Sequence, residues 1–93
     1  MFRKLRGVDV DVVRQGLIFF TCLDYKRQPK KIRDKIDRLC DKCGGGYSAA
    51  LKDLVTTPPW EMGVTCCAMR HHVSESTLYR IRKAFYEAWD SSD

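Results

Sequence analysis

Residues 29–46 constrain this chain more than any other segment, because both ends of a helix are written into them. Pro29 suits a first helical turn, where the missing amide has no intrahelical partner to lose. Gly44-Gly45-Gly46 supplies the left-handed conformation that closes a helix at little cost. Between these marks Ile32, Ile36, Leu39, Cys40 and Cys43 recur at helical spacing as a narrow apolar seam. Lys31, Lys35, Arg38 and Lys42 fall on one flank of that seam, and Asp34, Asp37 and Asp41 fall on the far side.

The rest of the chain is punctuated in the same way. A first helix is expected from about Asp11 to Tyr25, with Val13, Leu17, Phe20 and Asp24 on one line. Val10, Ile18 and Cys22 widen its apolar stripe, and so wide a stripe implies deep burial. The alternation from Val8 to Val12 fits the start of a strand instead, although no second strand candidate exists to pair with it. Tyr47 to Val55 reads as a short third helix with Ala50, Leu51, Leu54 and Val55 inward. Thr56-Thr57-Pro58-Pro59 stops it, since a residue before proline is pushed out of the α region. The same prolines, with Thr57 as N-cap, are expected to begin a fourth helix that runs to about His71. Ser74 then caps a last helix with Leu78, Ile81, Phe85, Ala88 and Trp89 on one face. The expected fold is all-α: one domain over residues 1–93, a compact bundle of about five short helices. Residues 1–8 read as a loose basic arm, residues 60–89 as a C-terminal helix-turn-helix, and Phe19, Phe20, Trp60, Phe85 and Trp89 as core.

Composition narrows the function. A chain of 93 residues gives most catalytic machinery too little scaffold, so no enzyme is expected. Lys and Arg exceed Asp and Glu by 17 to 12, and the resulting +5 suggests an anionic partner. The longest apolar run, Leu17 to Leu23, falls far short of the roughly 20 residues of a membrane span. Asp9, Asp11 and Arg14 interrupt what would be the apolar region of a signal peptide, so a cytoplasmic location is expected. The five cysteines then read as reduced thiols.

The stretch from Cys67 to Arg80 carries the functional signal. Two helices joined by a tight turn need a small residue at their crossing, an apolar plug in the turn and a cap for the second helix. Ala68, Val73 and Ser74 supply these in order, and Leu78 faces back toward the first helix. Glu75, Ser76, Tyr79 and Arg80 are left on the outer side near the N-terminal end, which enters the major groove in such modules. These four are the expected base contacts. Arg70, His72, Ser74, Thr77, Arg82 and Lys83 are the expected phosphate contacts around them. An ordinary helical hairpin, in which Ser74 is only a cap, accounts for the same spacing.

Val73 to Arg80, with Phe85-Tyr86 and Trp89, resembles the C-terminal motif of small phage and prophage transcriptional regulators of the RinA and ArpU type. Their helix-turn-helix is similar to region four of bacterial sigma factors. Tyr47-x-x-Ala50-Leu51 and Val55-Thr56-Thr57 are similar to a stretch of related prophage proteins, so the resemblance covers about residues 47–89. It implies that Ser74 to Arg80 starts a recognition helix and that the partner is double-stranded DNA. His71 departs from the apolar residue, and His72 from the turn glycine, that this pattern usually carries.

Seven basic residues against two acids between Lys26 and Arg38 suggest a second phosphate-binding surface, through Lys31, Lys35, Arg38 and Lys42. A solvated helix face laced with Asp–Lys pairs explains them equally well. Zinc is a weaker alternative. Cys40-x-x-Cys43 has chelating spacing, but Cys66 and Cys67 point about 100° apart on a helix and His71 and His72 complete no site with them. No cofactor is expected, and a Cys–His nucleophile would need a pocket and an orienting third group, for which 93 helical residues offer no obvious place. Two other functions stay open: a small-terminase-like packaging module, and a module that contacts RNA polymerase or a sigma factor. Dimerisation through Val13, Leu17 and Phe20 of the first helix is a further expectation.

Overall fold

The computed structural model describes Leu5 and residues 7–91, so most of the expected basic arm lies outside the described residues. The elements are α1 (Val12–Leu23), a 3-10 turn Tyr25–Arg27, α2 (Lys30–Gly44), a second 3-10 turn Gly45–Tyr47, α3 (Ser48–Thr56), α4 (Val64–His71) and α5 (Glu75–Ser91). There is no strand among the described residues, and the fold is all-α.

α2 forms as its sequence dictates. Pro29 precedes the first helical residue, and Gly45, at φ +53°, ends the helix in a conformation that favours glycine. Ile36, Leu39 and Cys40 are buried against α3 and α5, which α2 touches along its length. α3 contributes Ala50, Leu51, Leu54 and Val55 to the same core, as its pattern predicts. α5 closes it with Leu78, Ile81, Phe85, Tyr86 and Trp89, while Ala88 is half-buried. Phe85 lies at the centre, its ring 5.9 Å from that of Trp89. Each such fully buried large side chain stabilises the fold by about 1.5–3 kcal/mol.

Two expectations fail. The line Val13, Leu17 and Phe20 of α1 faces outward, 65%, 56% and 53% exposed. The buried positions are Gln15, Ile18 and Cys22. A helix docked on one side buries a sector, not a full circumference, and here the preceding segment competes for the space. Val8 and Val10 sit in the core from an extended stretch, with Asp9 exposed between them, so the alternation is real but unpaired with any strand. Gln15 serves that stretch. Its side-chain amide donates to the Val10 carbonyl, and its side-chain oxygen accepts the Leu5 amide, both at 2.8 Å. Asp9 N–H to Glu87 (3.0 Å) and Arg14 to Asp90 (2.9 Å) tie the same region to α5.

The second failure is the start of α4, which lies at Val64 and not at the prolines. Thr57 is extended ahead of Pro58. The Met62 amide reaches the Pro58 carbonyl at 3.0 Å, a single turn that the extended Gly63 discontinues. Met62 is buried by this loop and Trp60 is 71% exposed, so Trp60 and Phe20 are surface and not core.

Between α2 and α3 runs a polar strap. The Tyr25 hydroxyl donates to Asp37 (3.0 Å), and Lys52 reaches both Asp37 (3.0 Å) and the Tyr25 oxygen (3.1 Å). These hydrogen bonds to Tyr25 and Asp37 hold the Lys52 ammonium above its ordinary pKa. Asp37 is therefore half-buried at a helix contact, not on the open far side of α2.

Candidate nucleic-acid interface

α4 and α5 are joined by His72, Val73 and Ser74. His72 adopts the left-handed conformation (φ 56°, ψ 44°), alone among described non-glycine residues. This is the position where the resembled pattern carries glycine. The Val73 amide then bonds back to the Ala68 carbonyl at 3.0 Å, and the Val73 side chain packs against the core beneath the turn. Ser74 Oγ accepts the Thr77 amide at 3.2 Å and donates to Thr77 Oγ1 at 2.8 Å, so it caps α5 as its sequence position suggests. Ala68 is buried where the two helices meet, and Leu78 packs in from α5.

With Leu78 and Ile81 inward, Glu75, Ser76, Tyr79 and Arg80 are exposed together on the first turns of α5. Of the four, Tyr79 lines an open groove with Gly63, Val64, Thr65, Cys66, Met69 and Arg70. Met69 is 73% exposed there, an apolar side chain that the reading of the sequence passed over.

The expected phosphate contacts divide into committed and uncommitted groups. Ser74 and Thr77 are engaged in the cap. Arg70 pairs with Asp53 of α3 at 3.2 Å. Arg82 is half-buried with its guanidinium 5.3 Å from the Tyr79 ring, and burial pulls its pKa below the ordinary arginine value. Lys83 pairs with Glu87 at 2.9 Å while staying exposed. His72 is exposed at the turn.

On α2, Lys31, Arg38 and Lys42 are exposed, and Lys35 lies 4.1 Å from the Trp89 ring centroid. Trp89 is in the last turns of α5. Lys35 thus lies beside the far end of α5, about 15 Å along the axis from Tyr79 at 1.5 Å per residue.

The structure lends the Cys40–Cys43 zinc alternative no support. Cys40 is buried, and burial pushes its thiol up to about 12, so it behaves as a small hydrophobe. Neither it nor Cys43 belongs to a cluster of three ligating side chains among the described residues. Asp53, Cys67 and His71 do, with ligand atoms all within 4.8 Å of one another. Asp53 accepts from His71 Nε2 (2.9 Å), Arg70 (3.2 Å) and Thr57 Oγ1 (3.2 Å). Desolvation works to raise its pKa, and these three hydrogen bonds outweigh it, leaving the carboxyl below its usual range. The sequence signal for this cluster was Cys67-x-x-x-His71, a spacing that puts both side chains on one helix face.

No helix among the described residues is long and apolar enough to cross a membrane. No known protein family, curated protein or solved structure matches the chain.

Proposed function

We propose that this chain is a sequence-specific DNA-binding transcriptional regulator of phage or prophage origin, with α4 and α5 acting as a helix-turn-helix. One observation carries the reading: Glu75, Ser76, Tyr79 and Arg80 are presented together on the capped N-terminal turns of α5, while its opposite face is held in the core. In the major groove Arg80 pairs with guanine, Ser76 and Glu75 bond base edges, and Tyr79 packs on thymine methyls or sugars. Lys83 is the exposed α5 cation that holds an adjacent phosphate, with His72 a hydrogen-bonding group at the turn. Lys31, Arg38 and Lys42 serve backbone farther along the duplex, and the RinA/ArpU resemblance supports the phage assignment.

Selection of bound sites from a random DNA pool tests the proposal. The expected result is an enriched motif whose affinity falls with salt at a log–log slope of about −3 to −4, for roughly four phosphate contacts. A pool that shows no enrichment overturns it.

A second reading has its own observation. The exposed Met69 and Tyr79 line one groove between α4 and α5 and give it an apolar character suited to a protein partner such as RNA polymerase or a sigma factor. Binding to that partner with no salt-sensitive DNA affinity favours it. The outward Val13, Leu17 and Phe20 are the surface a homodimer would use, and sedimentation velocity reads that directly.

A further inference from the structure

We propose that Asp53, Cys67 and His71 form a binding site for a transition-metal dication of zinc type, which pins α4 to α3. The ligands come from two helices and converge on one spot. Cys67 and His71, four residues apart, project from the same face of α4, and Asp53 meets them from α3. A tetrahedral site with bonds of about 2.0–2.3 Å needs ligand atoms roughly 3.5 Å apart. His71 Nε2 and Asp53 Oδ2 stand at 2.9 Å and all three ligand atoms lie within 4.8 Å, so rotations of about half an ångström to an ångström suffice.

The donor set selects the ion. One sulfur, one imidazole nitrogen and one carboxylate oxygen suit zinc, whereas magnesium and calcium require oxygen ligands throughout. Thiolate and carboxylate together balance the two positive charges. Arg70 and Thr57 already hold the Asp53 carboxylate and remain available to orient it once the metal replaces the His71 contact. Cys67 is fully buried and closes the back of the site, while the His71 and Asp53 side chains keep 24% and 27% of their surface exposed. A water therefore completes the fourth position from the solvent side. On binding, the Cys67 S–H bond breaks and its proton leaves to solvent as a metal–sulfur bond forms; His71 Nε2 gives up the proton it donates to Asp53, leaving the neutral ring protonated on Nδ1, with no change of oxidation state. Affinity accordingly rises with pH. Without a metal, an ion cluster of His71, Asp53 and Arg70 accounts for the nitrogen and oxygen contacts, and the Cys67 thiol donates to the Ala50 carbonyl at 3.4 Å, a hydrogen bond that the metal–sulfur bond replaces.

Cobalt(II) titration of the full chain, kept reduced with a phosphine, reads the sulfur. The expected result is a thiolate-to-cobalt charge-transfer absorption with tetrahedral visible bands, both displaced by zinc. It should persist in the Cys43→Ser/Cys66→Ser double variant and vanish in Cys67→Ala. Because Cys67 is core, His71→Gln and Asp53→Asn provide the second arm. Each should weaken cobalt affinity at least tenfold while the helical circular dichroism stays unchanged. No charge-transfer band in the parent chain overturns the site. So does a band that survives His71→Gln or disappears with Cys43 and Cys66.

Discussion

The Gln15 side-chain amide donates to the Val10 carbonyl at 2.8 Å in a position with no solvent exposure. The other end of the same amide accepts from Leu5, so one side chain satisfies two backbone groups of the extended stretch before α1. Gln15→Leu removes both partners and strands a buried carbonyl and an amide. Each unsatisfied group costs about 1–3 kcal/mol. Urea denaturation should show a loss of at least about 2 kcal/mol with an unchanged m value. A loss below about 0.5 kcal/mol would mean that the segment rearranges freely.

The phase of α1 is testable by substitution on its two faces. Ile18→Ala in the core should cost about 2–5 kcal/mol. Leu17→Gln, one residue away but exposed, should change stability by less than about 0.5 kcal/mol. Equal effects would return the Val13–Leu17–Phe20 line to the core.

His72 holds a left-handed backbone with a Cβ, which costs roughly 1 kcal/mol relative to glycine in the folded state. His72→Gly should leave stability equal or raise it by up to about 1 kcal/mol, once the greater unfolded-state entropy of glycine is included. His72→Val should destabilise by more than about 1 kcal/mol, because a β-branched residue tolerates that region poorly. Thermal melts of both variants check the sign.

Asp53 carries a pH signature. Its folded-state carboxyl titrates below the ordinary value of 3.8. It therefore contributes stability that is fully present above the unfolded pKa and is lost as pH falls through the lower folded value. Asp53→Asn should flatten the acid limb of the stability–pH curve below about pH 4 and lower stability at neutral pH. A parallel acid limb in the variant would show that other carboxylates dominate it.

On DNA, Arg80→Ala should cost about 1–3 kcal/mol at the best site and relax preference at one or two positions. Lys31→Ala should weaken all sequences alike and reduce the salt slope by about 1. An Arg80→Ala variant with unchanged site preference removes the base-reading role.

The helix bounded by Pro29 and Gly45, the inner face of α5 and the Ser74 cap were all legible, because each rests on local chemistry or a clean period. The face of α1 was not, since apolar residues lie almost all round it and the phase is set by what docks there. Gln15 carries no local signal for burial, because its partners are backbone groups five and ten positions upstream. Pro58-Pro59 marked a stop correctly, but whether a helix restarts at once depended on the extended Gly63. Asp53 carries no sequence signal because its partners Arg70 and His71 lie on another helix, and without it the Cys67 and His71 spacing alone completes no ligand set.

The shallow seating of α1 has a consequence for how the protein breathes. α1 is held by three buried side chains and one surface link to α5, from Arg14 to Asp90, whereas α2, α3 and α5 pack together with Phe85 fully buried among them. Local opening should follow that gradient, with α1 detaching as a unit while the other helices remain closed. Its amides would then exchange with solvent orders of magnitude sooner than those of Ile36, Leu51 or Phe85.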